Sequence, residues 1–207
     1  MAGEQATDRS VFEITGKDSE KFLQDLVTND VAKLQGKIVY AALLSPQGKY
    51  LADFFLTQQD DTIFLDVATD FAPPLVQRLN MYKLRADVSI APSDLRVLRG
   101  VDTPPEGALA DPRHPDLGWR LLTTDSGDAP SVDWDALRVA HMIPESGVAL
   151  IANEPYILGA GFEALSGVDF KKGCYVGQEV TARMKHKTEL RKGLATVTVS
   201  QEVPVGT

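Results

Sequence analysis

The chain has 207 residues, 43% hydrophobic and 24% charged, enough apolar material for one large domain or two small ones and too much for wholesale disorder. One cysteine, Cys174, and three histidines, His114, His141 and His186, exclude an internal disulfide framework, a structural zinc site of four cysteines or of two cysteines and two histidines, and a stable [4Fe–4S] cluster held by one chain. No apolar run approaches the ~20 residues of a membrane span, and a net charge of −8 argues against a general nucleic-acid protein.

The first stretch, Met1 to Ser10, is polar. It has neither a basic-then-apolar signal peptide nor an Arg-rich transit pattern, which reads as a bacterial-type cytoplasmic protein. Lys17 to Val27 predicts a helix with Phe22, Leu23, Leu26 and Val27 on one stripe. Ile38 to Leu44 is a mostly apolar run expected to form a buried strand, and Ser45-Pro46-Gln47-Gly48 fits a type I turn. Tyr50 to Leu56 and Thr62 to Val67 continue as strands of an antiparallel meander. Pro73-Pro74 opens a helix carrying Leu75, Leu79 and Tyr82. Val88, Ile90, Leu95, Val97 and Leu98 supply further strands, Val101 to Pro115 reads as a long surface connection, and Trp119 to Thr123 as a short strand. Asp133 caps a helix with Trp134, Leu137 and His141 on one face, ended by Pro144. Leu194 to Val199 alternates like a half-exposed strand. Meanders with single helices favour an α+β fold over a doubly wound sheet.

Gly159-Ala160-Gly161-Phe162-Glu163-Ala164 satisfies the dinucleotide pattern, but Pro155 spoils a preceding strand, and the segment reads as a turn. No phosphate loop, no zincin motif and no nucleophile elbow is present. Asp60-Asp61 and Asp133-Trp134-Asp135 read as a turn and a cap, and no metal-ligand pattern is found. Charge is uneven: Lys171, Lys172, Arg183, Lys185, Lys187, Arg191 and Lys192 face only Glu179 and Glu189 in their stretch, a basic island in an acidic chain and a candidate anion site. Within it, Gly173 and Gly177 bracket Cys174. Two preceding lysines favour a thiolate, Tyr175 offers a stacking face and Gln178 can both donate and accept. A tight turn with a buried, inert cysteine is the equally weighted alternative.

The string Lys172-Gly173-Cys174-Tyr175-Val176-Gly177-Gln178-Glu179, followed by Arg183, resembles the K-G-C-Y-x-G-Q-E signature of the YgfZ family, folate-binding relatives of the glycine-cleavage T-protein (aminomethyltransferase) implicated in iron–sulfur cluster assembly or repair. Phe22 to Leu26 with Thr28-Asn29-Asp30 is similar to the family's first helix and T-N-D end. Leu43 to Asp53 resembles its L-x-P-x-G-K-x-x-x-D hairpin, Tyr82 to Arg85 its Y-x-L-R, and Arg138 to Gly147 its I-P stretch. The resemblance implies a T-protein-like ring of α+β modules around a central folate cavity. Residues 1–190 would form that module as two intertwined subdomains with loop 100–118 between them, and 191–207 would begin a C-terminal β-barrel that is mostly absent. It implies tetrahydrofolate or another reduced folate as cofactor. Asn29, Asp30, Tyr82, Arg85, Lys172, Gly173, Tyr175, Gly177, Gln178, Glu179 and Arg183 would be binding residues, and Cys174 and Asp53 the reactive groups. The implied function is a folate-binding accessory factor for [4Fe–4S] protein maturation, with assembly or client proteins as partners. The alternative is a tetrahydrofolate-dependent aminomethyl or one-carbon transferase with Asp53 as its acid–base group. Ala52 stands where T-proteins commonly carry a second Asp in the hairpin, and Ala140 and Gly159 stand where relatives carry Glu, which counts against aminomethyl transfer. A contact with RNA phosphate ranks last.

Overall fold

The computed structural model describes residues 3–187, 192–201 and 203–204. In chain order the elements are β1 (Glu4–Gln5), β2 (Arg9–Thr15), α1 (Ser19–Gln24), β3 (Val39–Leu44), β4 (Tyr50–Gln59), β5 (Thr62–Ala68), α2 (Ala72–Lys83), β6 (Ser89–Pro92), β7 (Arg96–Gly100), β8 (Leu109–Ala110), β9 (Trp119–Thr123), α3 (Trp134–Ala140) and α4 (Gln178–Lys187). Two open antiparallel sheets result, ordered β3-β4-β5-β2-β6 and β1-β7-β9-β8. The architecture is α+β, and no barrel is formed among the described residues.

The continuous apolar run of β3 is explained by burial on both faces. Val39, Ala41 and Leu43 pack into a core with α1 and α2, while Tyr40, Ala42 and Leu44 pack on the other side with Leu150, Phe162 and Tyr175. In β4 the same alternation sends Ala52, Phe54 and Leu56 to the first core and Phe55 to the second. An irregular register between Leu43 and Leu44 turns Tyr50 toward the second core as well. Asp53 therefore sits on a buried face, one strand over from Tyr40.

The two sheets are joined by an ion triad. Asp66 of β5 accepts Arg9 Nε of β2 at 2.6 Å and Arg120 Nη2 of β9 at 2.5 Å. At the edge, buried Glu4 accepts the backbone N–H groups of Ser131 and Val132, the Ser131 hydroxyl and Trp134 Nε1. Burial pushes its carboxyl up, but these bonds outweigh it and hold the pKa at about 2. They fix the approach to α3, whose first turn is capped by the Asp133 carboxylate on Ala136 N at 2.9 Å.

Several elements differ from the sequence reading. The first helix stops at Gln24 rather than Val27 because Val27 bridges to Leu43 and the carbonyls of Gln24 and Val27 are taken by Lys172. The connection expected between two subdomains joins neighbouring strands of one sheet and carries β8. Leu194 to Val199 forms no strand: these residues are exposed, and no strand among the described residues pairs with them. Of the barrel start expected at 191–207, residues 191, 202 and 205–207 lie outside the described residues. Strand β2 and helix α4 were not anticipated.

Candidate functional site

The first part of the site is built around Asp53. Tyr50 Oη donates to Asp53 Oδ1 at 2.6 Å, Ser146 Oγ to the same oxygen at 2.6 Å, and Tyr40 Oη to Oδ2 at 3.0 Å. Burial first, then the neighbouring carboxylate, pushes both phenols upward in pKa, so they stay protonated as donors. Three O–H donors leave part of the carboxylate's acceptor capacity free. Asp53 and Ser146 open on a cavity of about 150 Å³ that is also lined by Arg9, Arg99, Arg113, Arg120 and Arg138.

These arginines are held in place before any ligand arrives. Arg113 forks onto Asp111 through Nε at 3.0 Å and Nη2 at 2.8 Å. Burial lowers its pKa, but the Asp111 carboxylate outweighs this and raises it above the usual guanidinium range. Phe55 is flanked by three guanidinium groups, those of Arg120 at 4.0 Å, Arg113 at 4.7 Å and Arg9 at 5.3 Å from its ring centroid. Arg99 lies 4.4 Å over the Trp134 ring, and its buried Nε has no hydrogen-bond partner among the described residues. Asp8, Asp135 and Glu145 line the same cavity, and the other four arginines are paired with carboxylates, Arg138 with Asp135 and Glu145, so among the described residues Arg99 is the cation left to meet an anion there. None of these arginines stood out in the sequence. Arg9 and Arg120 meet at Asp66 from strands distant in the chain, whereas Arg113 and Arg138 pair with the nearby Asp111, Asp135 and Glu145.

The second part is the cysteine loop. Asp169 starts it: its Oδ1 accepts the N–H groups of Lys171 at 2.6 Å and Lys172 at 3.1 Å, and its Oδ2 pairs with Lys33 at 2.5 Å. Lys172 is turned inward. Its ammonium donates to the carbonyls of Gln24 at 2.7 Å, Val27 at 2.6 Å and Asn29 at 2.9 Å. Burial lowers its pKa to about 8 against the opposing pull of Asp30, Asp169 and Asp25. Tyr175 is buried in the second core, below the Lys172 ammonium. Gly177 has φ +83°, and a Cβ there would meet Ser45 O at 2.7 Å, so the loop lies directly on the β3–β4 hairpin turn. Between these anchors Gly173 and Cys174 are exposed. The loop thus presents a solvent-facing thiol on a braced backbone.

The structure unites two of the motifs read separately in the sequence. Thr28 Oγ1 donates to Gly167 O at 2.7 Å, and Asn29 Nδ2 to Ser166 O at 2.7 Å and Tyr40 O at 2.8 Å. The Thr28-Asn29-Asp30 stretch is thereby the seat of the cysteine loop. Asp30 accepts Gln24 Nε2 at 2.9 Å and Ala32 N at 3.1 Å. Asp53 belongs to the arginine cavity instead. Tyr82 packs on the first core and Arg85 is exposed beyond α2, so neither joins either group. Gln178 and Glu179 open α4, with Arg183 one turn on. Gln178 Nε2 reaches Gly173 O at 3.5 Å. In the basic island Lys185 pairs with Glu163, and Arg191 lies outside the described residues.

Residues 6–94 match the GCVT N-terminal domain. The protein named iron-sulfur cluster assembly factor IBA57 homolog, mitochondrial, of Mycosarcoma maydis is 32% identical over 89% of this chain and 54% of its own length. The human iron-sulfur cluster assembly factor IBA57, mitochondrial, is 30% identical over 95% of this chain and 66% of its own. The mouse protein of the same name is 29% identical over 95% and 66%. A glycine cleavage system aminomethyltransferase T from Bartonella henselae aligns over 45% of this chain and 27% of its own, at 19% identity and TM-score 0.42. The chain spans about half to two thirds of the length of the curated relatives it matches. These relatives carry the IBA57 name rather than that of the YgfZ group. They are mitochondrial by name, which overturns the bacterial-type cytoplasmic placement read from Met1 to Ser10; the composition of that stretch carries no compartment. Residues 6–94 thus match the GCVT N-terminal domain, and the chain is similar over most of its length to iron–sulfur cluster assembly factors.

Proposed function

We propose that the chain is the folate-binding part of an accessory factor for maturation or repair of [4Fe–4S] proteins, with Cys174 as the group that meets the cluster, a sulfur species or a client thiol. The likeness to assembly factors supports the cluster role, and the exposed thiol on a rigidly seated loop supports a part for it in that role. The observation that carries the folate reading is the Asp53 cavity, where a carboxylate with spare acceptor capacity sits among five arginines and the carboxylates of Asp8, Asp135 and Glu145, with the Arg99 Nε donor unused among the described residues. Its size, about 150 Å³, is below the ~300 Å³ of pockets for whole drug-sized ligands. It therefore suits a ring or head group, with the remainder of the ligand outside. Asp53 would take an N–H of the pteridine, and Arg99 and Arg113 would take its acceptor oxygens or a carboxylate. Reduced folate supplies a one-carbon-carrying nitrogen when bound. Three hydroxyl donors hold Asp53 as a fixed acceptor, which fits anchoring better than proton transfer.

Calorimetric titration with tetrahydrofolate tests this. The chain binds it, and Arg99→Met weakens binding by roughly 10–100-fold, as loss of a charge-assisted hydrogen bond does, while unfolding at an unchanged temperature. Absence of binding, or an Arg99→Met affinity equal to that of the unaltered chain, overturns the folate assignment.

A further inference from the structure

Outside both parts of the site, one cluster among the described residues gathers three metal-ligating side chains: His114, Asp116 and His141. His114 caps the short 3-10 turn Pro115–Leu117 that contains Asp116, and His141 caps the end of α3. Two distant parts of the chain thus bring two of its three imidazoles into a stack with centroids 3.7 Å apart. Asp116 Oδ2 lies 2.9 Å from His141 Nε2 and 3.9 Å from His114 Nδ1, and the three ligating atoms are all within 4.8 Å of one another.

The donor pattern fixes the chemistry. His114 Nδ1 accepts the Asp116 backbone N–H at 3.2 Å, so it carries the lone pair and Nε2 carries the proton. A cation bound through Nδ1 takes that lone pair in place of the Asp116 N–H, so ligation there gives up this capping hydrogen bond. At His141 a cation would take the place of the proton shared with Asp116. A tetrahedral ion with bonds of about 2.0–2.2 Å sets its ligand atoms about 3–3.5 Å apart. The two carboxylate–imidazole spacings bracket this separation, and the stacked rings turn out of their near-parallel planes to aim both in-plane lone pairs at one ion. The Asp116 side chain is 60% exposed, which leaves the remaining coordination positions to water. Two imidazoles and one carboxylate select borderline transition cations, whereas calcium and magnesium take oxygen ligands.

We propose that His114 Nδ1, Asp116 Oδ2 and His141 Nε2 form an exchangeable site for a divalent first-row transition cation. The ion clips the connection before β9 to the end of α3. Arg113, adjacent to His114, and Arg138, one turn before His141, both line the arginine cavity, so the clip holds two of its walls together. This site stands independently of what the cavity binds.

The test is anaerobic titration of the tag-free chain with cobalt(II), read by visible ligand-field absorption. One equivalent binds, zinc(II) displaces it and magnesium(II) does not. Asp116→Asn, an exposed change that spares the fold, and His141→Ala each weaken binding by at least the roughly 10–100-fold that even an outer-sphere loss costs at known sites. Cys174→Ser leaves the spectrum and affinity unchanged. Absent ligand-field bands, bands that persist at full affinity in Asp116→Asn and His141→Ala, or bands lost in Cys174→Ser overturn the assignment.

Discussion

Asp66→Asn is expected to lower the unfolding free energy by about 3–5 kcal/mol, the usual cost of removing one partner of a buried ion pair. At about 2–4 °C per kcal/mol for a chain of this size, Tm falls by roughly 10 °C. The carboxylate is the bond between the two sheets, reached by Arg9 from one and Arg120 from the other. Without it two guanidinium groups stay buried together against Phe55, with only the Asp111 carboxylate, 3.6 Å from Arg120 Nη1, left as counter-charge. Pairing the change with Arg120→Met recovers part of the loss, because one of the stranded charges is then gone. The same triad predicts acid lability. Burial pushes the Asp66 carboxyl up, but Arg9 and Arg120 hold it below its ordinary value. A carboxyl depressed in the folded state contributes stability that is present above its unfolded pKa of about 3.9. That contribution is lost as pH falls through the lower folded value. Denaturant unfolding at neutral pH and at pH 3 measures both effects, and the variant loses the acid dependence that belongs to this group.

Lys172→Met is expected to cost roughly 2–4 kcal/mol, from three buried carbonyls left without their donor, partly offset by removal of a buried ammonium. Its neighbour Lys171 is exposed, and Lys171→Met stays within about 0.5 kcal/mol of the unaltered chain. The pH dependence separates the two further. Burial sets the folded pKa of Lys172 at about 8, below its ordinary 10.5. Between these values the unfolded chain holds more protons than the folded one, so this group makes stability rise with pH across that window. Lys172→Met lacks the rise, and Lys171→Met keeps it. Limited trypsin digestion under native conditions gives an independent reading, since cleavage after Lys171 accelerates once the loop is freed from Gln24, Val27 and Asn29.

Much of the local structure was legible because local signals and burial agreed. The apolar run of β3, the Ser45–Gly48 turn, the Pro-opened α2 and the Asp133 cap each follow from residues adjacent in the chain. Helix α4 was missed because its face is short and polar, although Gly177 at positive φ followed by Gln178 and Glu179, with Lys185 to Lys187 at the other end, is a helix-start and helix-stop pattern. Strand β2 was missed because Val11, Phe12 and Ile14 are too few to register as a period. At the site, the cysteine loop was visible as a motif, but the inward turn of Lys172 was not. A lysine in a basic island reads as a ligand for anions, and only the tertiary fold shows three carbonyls converging on it. The arginine cavity was invisible for the same reason: Arg9, Arg99, Arg113, Arg120 and Arg138 lie on five separate segments.

A thiol that acts in cluster maturation is tested by serine replacement at Cys174, with the activity of a [4Fe–4S] client enzyme measured in cells that depend on this protein. Cys174→Ser should accumulate and unfold like the unaltered protein, because the side chain is exposed, while client activity falls to that of cells lacking the protein. Full client activity with Cys174→Ser would contradict the role assigned to the loop.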